Sequence, residues 1–435
     1  MTRLLVCCVL GLSTMVILAG NARGYPLTAA LNSVQVVPSY GSNASGSCKI
    51  NGVMGDFTAF IDLTCEFSGL SGPLIDADIR DGRAGQNGPG VCGGKRVMVT
   101  LPNTGGGTAR IECGDGIGYI ESWSTKNFYV VLQTSTFPDG EIRGQIKPTT
   151  IDSDVNGEGR TEISIFRPAD ESVWAYCNIT NGPIYKPLTE WQPQTDSAPF
   201  LADFDGDGIA DWSFVRTNAA TGVMSILFKS SHYGFFGGAN FGNTNYGDVH
   251  VFGDFGGIGR IGIAVYRPSD GRWFIMENLS NPGFRSESWG TPAGTPCVGD
   301  YNGDGKTELC LVRPENGQLA WYIGSNSAEP VRWGLATDTI YPRSPVDVDA
   351  DGTNDVLVSR NEDGKRVFYA LRSRDGTMFV LQWGLATDAV KLGDYDADGT
   401  TDFAAVREID GHLVWFIYES TNGLRTYQWG LPGDL

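Results

Sequence analysis

The sequence predicts an all-β protein whose larger part is a β-propeller, and three observations carry that expectation. A segment of about fifteen residues recurs six times. Short apolar runs alternate with turn signals and show no sustained helical period. The chain of 435 residues holds 59 glycines and 11 tryptophans, a composition rich in turns and in aromatic strand positions.

The recurring segments begin "DVNGEGRTEISIFRP" at Asp154, "DFDGDGIADWSFVR" at Asp203, "DFGGIGRIGIAVYRP" at Asp254, "DYNGDGKTELCLVRP" at Asp300, "DVDADGTNDVLVSR" at Asp347 and "DYDADGTTDFAAVR" at Asp394. Their starts are 49, 51, 46, 47 and 47 residues apart. An arginine stands at one offset in each: Arg167, Arg216, Arg267, Arg313, Arg360 and Arg407. A turn follows, then an aromatic strand such as "RWFIM" or "VWFIY", then an aromatic beside a glycine, as at Trp333-Gly334 and Trp383-Gly384. Four short strands per unit of this length is the arithmetic of a propeller blade. Six units predict six blades. The arginines are expected to close each blade by pairing with loop carboxylates of a neighbour. "SSHYGFFGGANFGNTNYG", before the third repeat, reads as irregular.

Within each repeat the opening residues pose a chemical question. D-x-N-x-D-G at Asp300 matches the start of an EF-hand loop, but position 12 is Leu311 rather than Glu and the flanks read as strands. G-K-T at Gly305–Thr307 matches the end of a phosphate-binding loop, but Asp300 stands where that loop needs glycine. The pattern that fits is D-x-[DN]-x-[DE]-G-x-x-[DE] between two strands. Positions 1, 3, 5 and 9 then offer side-chain oxygens to one point, and glycine at position 6 permits the sharp turn. All-oxygen donors in this number suit Ca2+.

Five loops keep the donors: Asp154, Asn156, Glu158 and Glu162; Asp203, Asp205, Asp207 and Asp211; Asp300, Asn302, Asp304 and Glu308; Asp347, Asp349, Asp351 and Asp355; Asp394, Asp396, Asp398 and Asp402. The loop at Asp254 has Gly256, Ile258 and Gly262 instead and is expected to be empty. Four or five structural Ca2+ ions per chain are expected, with folding and calcium linked. Residues 149–435 thus resemble the FG-GAP or VCBS repeats of integrin-type propellers, and that resemblance implies calcium in the hairpin loops.

Ahead of the repeats, residues 28–148 read as strands separated by turns rich in Gly, Asn and Pro. "FPDGEIRGQI", Phe137 to Ile146, resembles the closing motif of the CHRD domain, and "ADIRDGRAGQNGPGV" resembles its middle motif. That resemblance implies an immunoglobulin-like or related β-sandwich. Histidines usual in the family are replaced by Asp78 and Arg80, which argues against a histidine metal site here.

Residues 1–24 read as a signal peptide: Arg3, then an apolar core from Leu4, then small residues before Tyr25. No later segment is long and apolar enough to span a bilayer. A secreted protein is expected, and disulfides with it. Cys48–Cys65 and Cys92–Cys113 are the local pairings favoured in the first part. Cys297 and Cys310 flank the fourth loop and are expected to bridge it, which leaves Cys177 over. The net charge of −18 disfavours nucleic acid as a partner.

The three histidines, His232, His250 and His412, adjoin no nucleophile motif, and the clustered carboxylates are accounted for by a cation, so no enzyme is expected. The expected role is an extracellular binding or adhesion module for a glycan or protein. The alternatives are a self-assembling subunit of a matrix, appendage or filament, and a secreted hydrolase using the propeller as scaffold.

Overall fold

A computed structural model describes most of residues 27–434. It leaves out chiefly 37–41, 55–58, 82–86, 91–95, 98–106, 114–127, 149–152, 157–159, 177–183, 188–190 and 326–328. The expected signal peptide, Cys92 and Cys177 lie outside the described residues, as does the proposed bond from Cys92 to Cys113.

The repeats fold as six consecutive antiparallel sheets. Blade 1 has three described strands, Ile163–Arg167, Ser172–Tyr176 and Ile184–Pro187. The other five have four strands each, hydrogen-bonded in chain order. Blade 2 runs from Phe200–Ala202 to Phe236–Asn243, blade 3 from Val249–Gly253 to Arg285–Ser288, and blade 4 from Thr295–Gly299 to Val331–Leu335. Blade 5 runs from Thr339–Ile340 to Met378–Leu385 and blade 6 from Ala389–Gly393 to Gly423–Gln428. The stretch expected to be irregular instead supplies the fourth strand of blade 2, followed by a single 3-10 turn at Thr244–Tyr246. Its glycines suit close packing: a side chain at Gly238 would meet the Ile226 carbonyl at 2.4 Å.

Apolar side chains are buried mainly between blades. Phe166 and Trp191 of blade 1 pack on Trp212 and Phe214 of blade 2. Phe204 and Phe228 meet Ile263 and Val265 of blade 3, whose Tyr266 and Trp273 meet Val298 and Leu311 of blade 4. Trp321 packs with Val356 and Val358 of blade 5, whose Phe368 packs with Phe403 of blade 6. Trp415 and Ile417 of blade 6 then share one cluster with Ile163 and Ile165 of blade 1. The last blade therefore lies against the first, and the six blades form a ring.

Two sets of polar contacts repeat at the junctions. The arginines do pair across blades, but not with the metal-type loops. Each binds an aspartate in the connection that leaves the preceding blade: Arg216 with Asp196, Arg267 with Asp248, Arg360 with Asp338 and Arg407 with Asp388. Ring closure uses the same device, with Arg167 of blade 1 forked onto Asp434 at 3.0 and 2.8 Å. After blade 3 the connection has no aspartate, and Arg313 turns to Thr291 Oγ1, Glu315 and Tyr322. The correction has a topological cause: the arginine ends the second strand, at the end of the blade opposite the loop between strands one and two.

The N-terminal part is one nine-stranded antiparallel sheet. Its strands surround a single cluster that includes Leu31, Ile50, Leu63, Ile79, Val130, Leu132 and Ile142. Cys48 faces Cys65 across paired strands and the two are bonded, with Cα atoms 4.0 Å apart. Asp78 is buried and takes the Arg80 Nε at 3.1 Å, an ion pair in place of the family's histidines. Within "FPDGEIRGQI", Glu141 is fully buried and joins three separate segments, accepting from Ser42 Oγ, the Ser71 N–H and Thr134 Oγ1. The guanidinium of Arg143 lies 3.4 Å over the Tyr129 ring.

Asp434→Ala removes two charge-assisted hydrogen bonds that hold the last residues to blade 1. It is expected to lower the unfolding free energy by about 1.5–3 kcal/mol. Glu408→Ala, at an exposed strand position, is expected to change it by less than about 0.5 kcal/mol. Denaturant titration of the two variants beside the parent checks this.

Candidate metal centres

In blades 2 to 6 each loop lies between the first and second strands, the loop at Asp154 leads into Ile163–Arg167, and loop shape follows from the loop's own residues. The first aspartate folds back over the turn: its Oδ2 accepts the N–H of the glycine at position 6, at 2.9 Å in Asp203–Gly208 and at 2.8 Å in the loops starting at Asp300, Asp347 and Asp394. That glycine is left-handed in every described loop, with φ from 72° at Gly259 to 88° at Gly399. Position 4 is left-handed as well. Gly206, Gly257 and Gly303 adopt it freely, and Ala350 and Ala397 adopt it at φ 53° and 61°. The carboxylate at position 5 caps the N–H at position 7, as in Asp304 to Lys306 at 2.9 Å.

Position 9 opens the second strand and is held from two sides. One oxygen accepts the N–H of position 2: Phe204 to Asp211, Tyr301 to Glu308, Val348 to Asp355 and Tyr395 to Asp402. The other oxygen accepts from the turn between strands three and four: Ser231 N–H to Asp211, Ser373 to Asp355 and Ser420 to Asp402. Each carboxylate oxygen keeps a second lone pair for another partner.

These constraints gather acids. Asp203, Asp205 and Asp211 bring one oxygen each to within 4.8 Å of one another; so do Asp300, Asp304 and Glu308, then Asp347, Asp349 and Asp351, then Asp394, Asp396 and Asp402. The remaining expected donors flank these groups. Asp207 receives the N–H of Ile209, Asp398 that of Thr400, and Asp355 sits as described above. Asn302 points its amide nitrogen at Glu308 at 2.8 Å. In the first loop Asn156 does the same toward Glu162 at 2.9 Å, Asp154 is buried, and Glu158 lies outside the described residues. In the third loop Asp254 still caps Ile258 and Gly259, but a side chain at Gly262 would meet the Met276 carbonyl at 2.6 Å. No ninth-position ligand fits there.

The electrostatics show what the clusters lack. Burial first, and neighbouring carboxylates after it, push Asp211 up to about 7, Glu308 to about 8 and Asp402 to about 8. Asp394 rises to about 6, chiefly by burial, as does Asp355. Asp203 and Asp347 are raised well above the ordinary carboxylate range for the same reasons. Burial works upward on Asp398 too, but hydroxyl bonds from Ser420 and Thr421 outweigh it and lower its value. At position 3, Asp349 Oδ1 and Asp396 Oδ1 are buried with no hydrogen-bond partner. A carboxylate oxygen withdrawn from water without a donor is costly, and a cation resolves that cost. The donors are all oxygen, which fits Ca2+.

Some parts of the site have no signature in the loop motif. The serines that brace position 9 come from the turn between strands three and four, about twenty residues downstream. The aspartates that receive the arginines were readable: "WGLATD" recurs at Trp333–Asp338 and Trp383–Asp388. Cys297 and Cys310 are bonded across the strands that carry the fourth loop, as expected, with Cα atoms 4.6 Å apart.

The raised values fix a pH dependence. With no cation bound, these groups hold protons in the folded state that the unfolded chain releases near pH 4. Their contribution is fully present below that pH and is lost as pH rises through 6 to 8. Protein freed of divalent ions is therefore expected to be less stable at pH 8 than at pH 5. With saturating calcium the ion displaces those protons, so apparent affinity is expected to rise over the same range. Chemical denaturation at both pH values, with chelator and with calcium, checks the sign.

Comparison with known proteins gives the segments a family. The CHRD domain family matches residues 27–146, and the FG-GAP-like repeat family matches residues 300–358. No curated protein matches the chain. A solved structure with slight likeness is the crystal structure of a protein from Lactobacillus plantarum, 11% identical, covering 71% of this chain and 93% of its own, with a TM-score of 0.32, too low to support an argument. The chain thus carries a CHRD domain followed by a ring of blades, in which the stretch from the fourth loop through blade 4 and the fifth loop matches an FG-GAP-like repeat.

Proposed function

We propose that this is a secreted calcium-binding β-propeller that serves as an extracellular binding or adhesion module for a glycan or protein ligand. The observation that carries the calcium part is the pair of buried, partnerless oxygens, Asp349 Oδ1 and Asp396 Oδ1, set among clustered carboxylates at one point of each loop. Asp203, Asp205, Asp207 and Asp211 would hold one ion; Asp300, Asn302, Asp304 and Glu308 a second; Asp347, Asp349, Asp351 and Asp355 a third; Asp394, Asp396, Asp398 and Asp402 a fourth. A bound Ca2+ supplies charge neutralisation that lets these carboxylates stay ionised in a closed loop.

The disulfides support the extracellular part. Cys48–Cys65 and Cys297–Cys310 are bonded, which suits an oxidising compartment. Among the described residues no helix is long and apolar enough to cross a membrane. Support for a binding surface comes from blades 2 and 3. Phe235, Tyr246 and Phe284 are 48%, 54% and 62% exposed, large values for aromatic rings. Phe284 packs edge-on to Phe241 and Phe274, and the Arg267 guanidinium lies 4.2 Å over the Tyr246 ring. Fixed, exposed rings beside polar strands suit stacking by a sugar face or an apolar side chain.

Mature protein is expected to bind four or five Ca2+ ions by elemental analysis, and chelation is expected to lower its unfolding temperature by ten degrees or more. No bound ion and no shift would sink the calcium reading. For the ligand, a glycan array in the presence of calcium is expected to give defined hits. Phe284→Ala and Tyr246→Ala are each expected to weaken those hits about tenfold or more without lowering the unfolding temperature. Unchanged binding by both variants would remove this face from consideration.

A further inference from the structure

Position 8 of the loop is not a ligand, yet it is the residue through which one loop touches the next. Its backbone N–H donates to the carbonyl of the first aspartate in the preceding blade, and it does so at all six junctions. The bonds are Ala210 to Asp154 at 2.7 Å, Ile261 to Asp203 and Thr307 to Asp254 at 2.9 Å, Asn354 to Asp300 and Thr401 to Asp347 at 2.7 Å, and Thr161 to Asp394 at 2.8 Å. At three consecutive junctions the side chain at position 8 closes a second bond, accepting the N–H of that same aspartate. Asn354 Oδ1 accepts from Asp300, Thr401 Oγ1 from Asp347 at 2.9 Å, and Thr161 Oγ1 from Asp394 at 3.0 Å. There is no room to spare around these contacts. A side chain at Gly299 would meet Asn354 at 3.0 Å, and one at Gly393 would meet Thr161 Oγ1 at 2.5 Å.

We propose that Asn354 and Thr401 are positioning residues that couple the cation sites of blades 4, 5 and 6 into one cooperative run. The inference rests on the reading of these loops as calcium sites. The first aspartate belongs to both systems. Its side chain contributes to the ion site of its own loop, while its N–H and C=O are held by position 8 of the following blade. The next residue along, position 9, is a ligand of that following loop: Asp355 or Asp402. An ion that closes one loop fixes the peptide of its first aspartate. That peptide fixes position 8, and position 8 places the ligand beside it. In a loop without its ion, the first aspartate is held by hydrogen bonds alone, and its peptide and both bonds are less firmly fixed.

The run has ends. Blade 3 interrupts it, because its loop lacks acids at positions 3, 5 and 9. The loop at Asp203 is bordered by Ala210 and Ile261, whose side chains accept no hydrogen bond, so its site is expected to fill independently.

Calorimetric calcium titration of the parent, Thr401→Val and Thr401→Ser tests this, together with unfolding temperatures in excess calcium and in chelator. Thr401→Val leaves every ligand of the Asp347 and Asp394 loops in place. It is expected to bind the same number of ions, with the coupled sites weakened roughly tenfold and the Hill coefficient lowered toward one. Thr401→Ser is expected to restore the parent isotherm. The fall in unfolding temperature is expected to be larger in calcium than in chelator, which a merely structural contact would not produce. Asn354→Ala provides the same readout at the preceding junction should Thr401→Val fail to fold. A parent-like isotherm in Thr401→Val, or equal falls in unfolding temperature in both conditions, would overturn the coupling while leaving the calcium sites standing. A parent protein that binds no calcium would overturn both.

Discussion

The hydrogen bond from position 8 of one loop to the first aspartate of the loop before it is the contact on which the ring depends. It is made six times, it uses backbone atoms alone, and it joins each loop to the next. A polar group buried at such a junction must find a partner, and here the partner always comes from the neighbour. Because the bond is a backbone bond, side-chain identity is free to vary. That is why Ala210, Ile261, Thr307, Asn354, Thr401 and Thr161 occupy equivalent places, and why the third loop keeps its junctions after losing its acids.

A second ring of contacts sits at the opposite ends of the blades, where arginine meets aspartate. The aspartates are nearly inaccessible while the arginines stay partly in water, so only one partner of each pair is desolvated. Such pairs set geometry more than they add stability. Between the two polar rings lie the aromatic layers that bury most of the apolar surface. The propeller is therefore closed at three levels, and its last junction, between blade 6 and blade 1, uses all three: Thr161 on Asp394, Ile163 and Ile165 against Trp415 and Ile417, and Arg167 on Asp434.

The loops invert the usual rule that buried acids are avoided. Asp203 and Asp394 are almost inaccessible, and Asp211 and Asp402 wholly so. The backbone supplies donors to most of their oxygens, which orients them but does not cancel their charge. The outcome is a fold that is complete in shape and short of positive charge at fixed points. The CHRD domain manages its buried charge differently. Glu141 is surrounded by donors from three segments and is lowered in value, although burial alone would raise it, because the bonds from Thr134, Ser42 and Ser71 outweigh that cost. A buried carboxylate is thus a satisfied structural joint in one domain and a member of a crowded acidic cluster in the other.

The sequence by itself determined the repeat, the β blades, the shape of the loops and the two described disulfides. These are local or periodic properties: a hairpin loop needs its glycine at position 6 whatever surrounds it, and paired cysteines thirteen or seventeen residues apart can meet across one hairpin. Tertiary structure decided which groups meet across the ring. Arg167 and Asp434 are 267 residues apart, and Thr161 and Asp394 are 233 apart, so neither pair leaves a mark within one repeat. The stretch from Ser230 to Gly247 misled for a related reason. Its glycines look like loop glycines locally, but close approach of the third strand of blade 2 requires them in a strand. Position 8 carries no signal within its own repeat, because its partner belongs to a different blade.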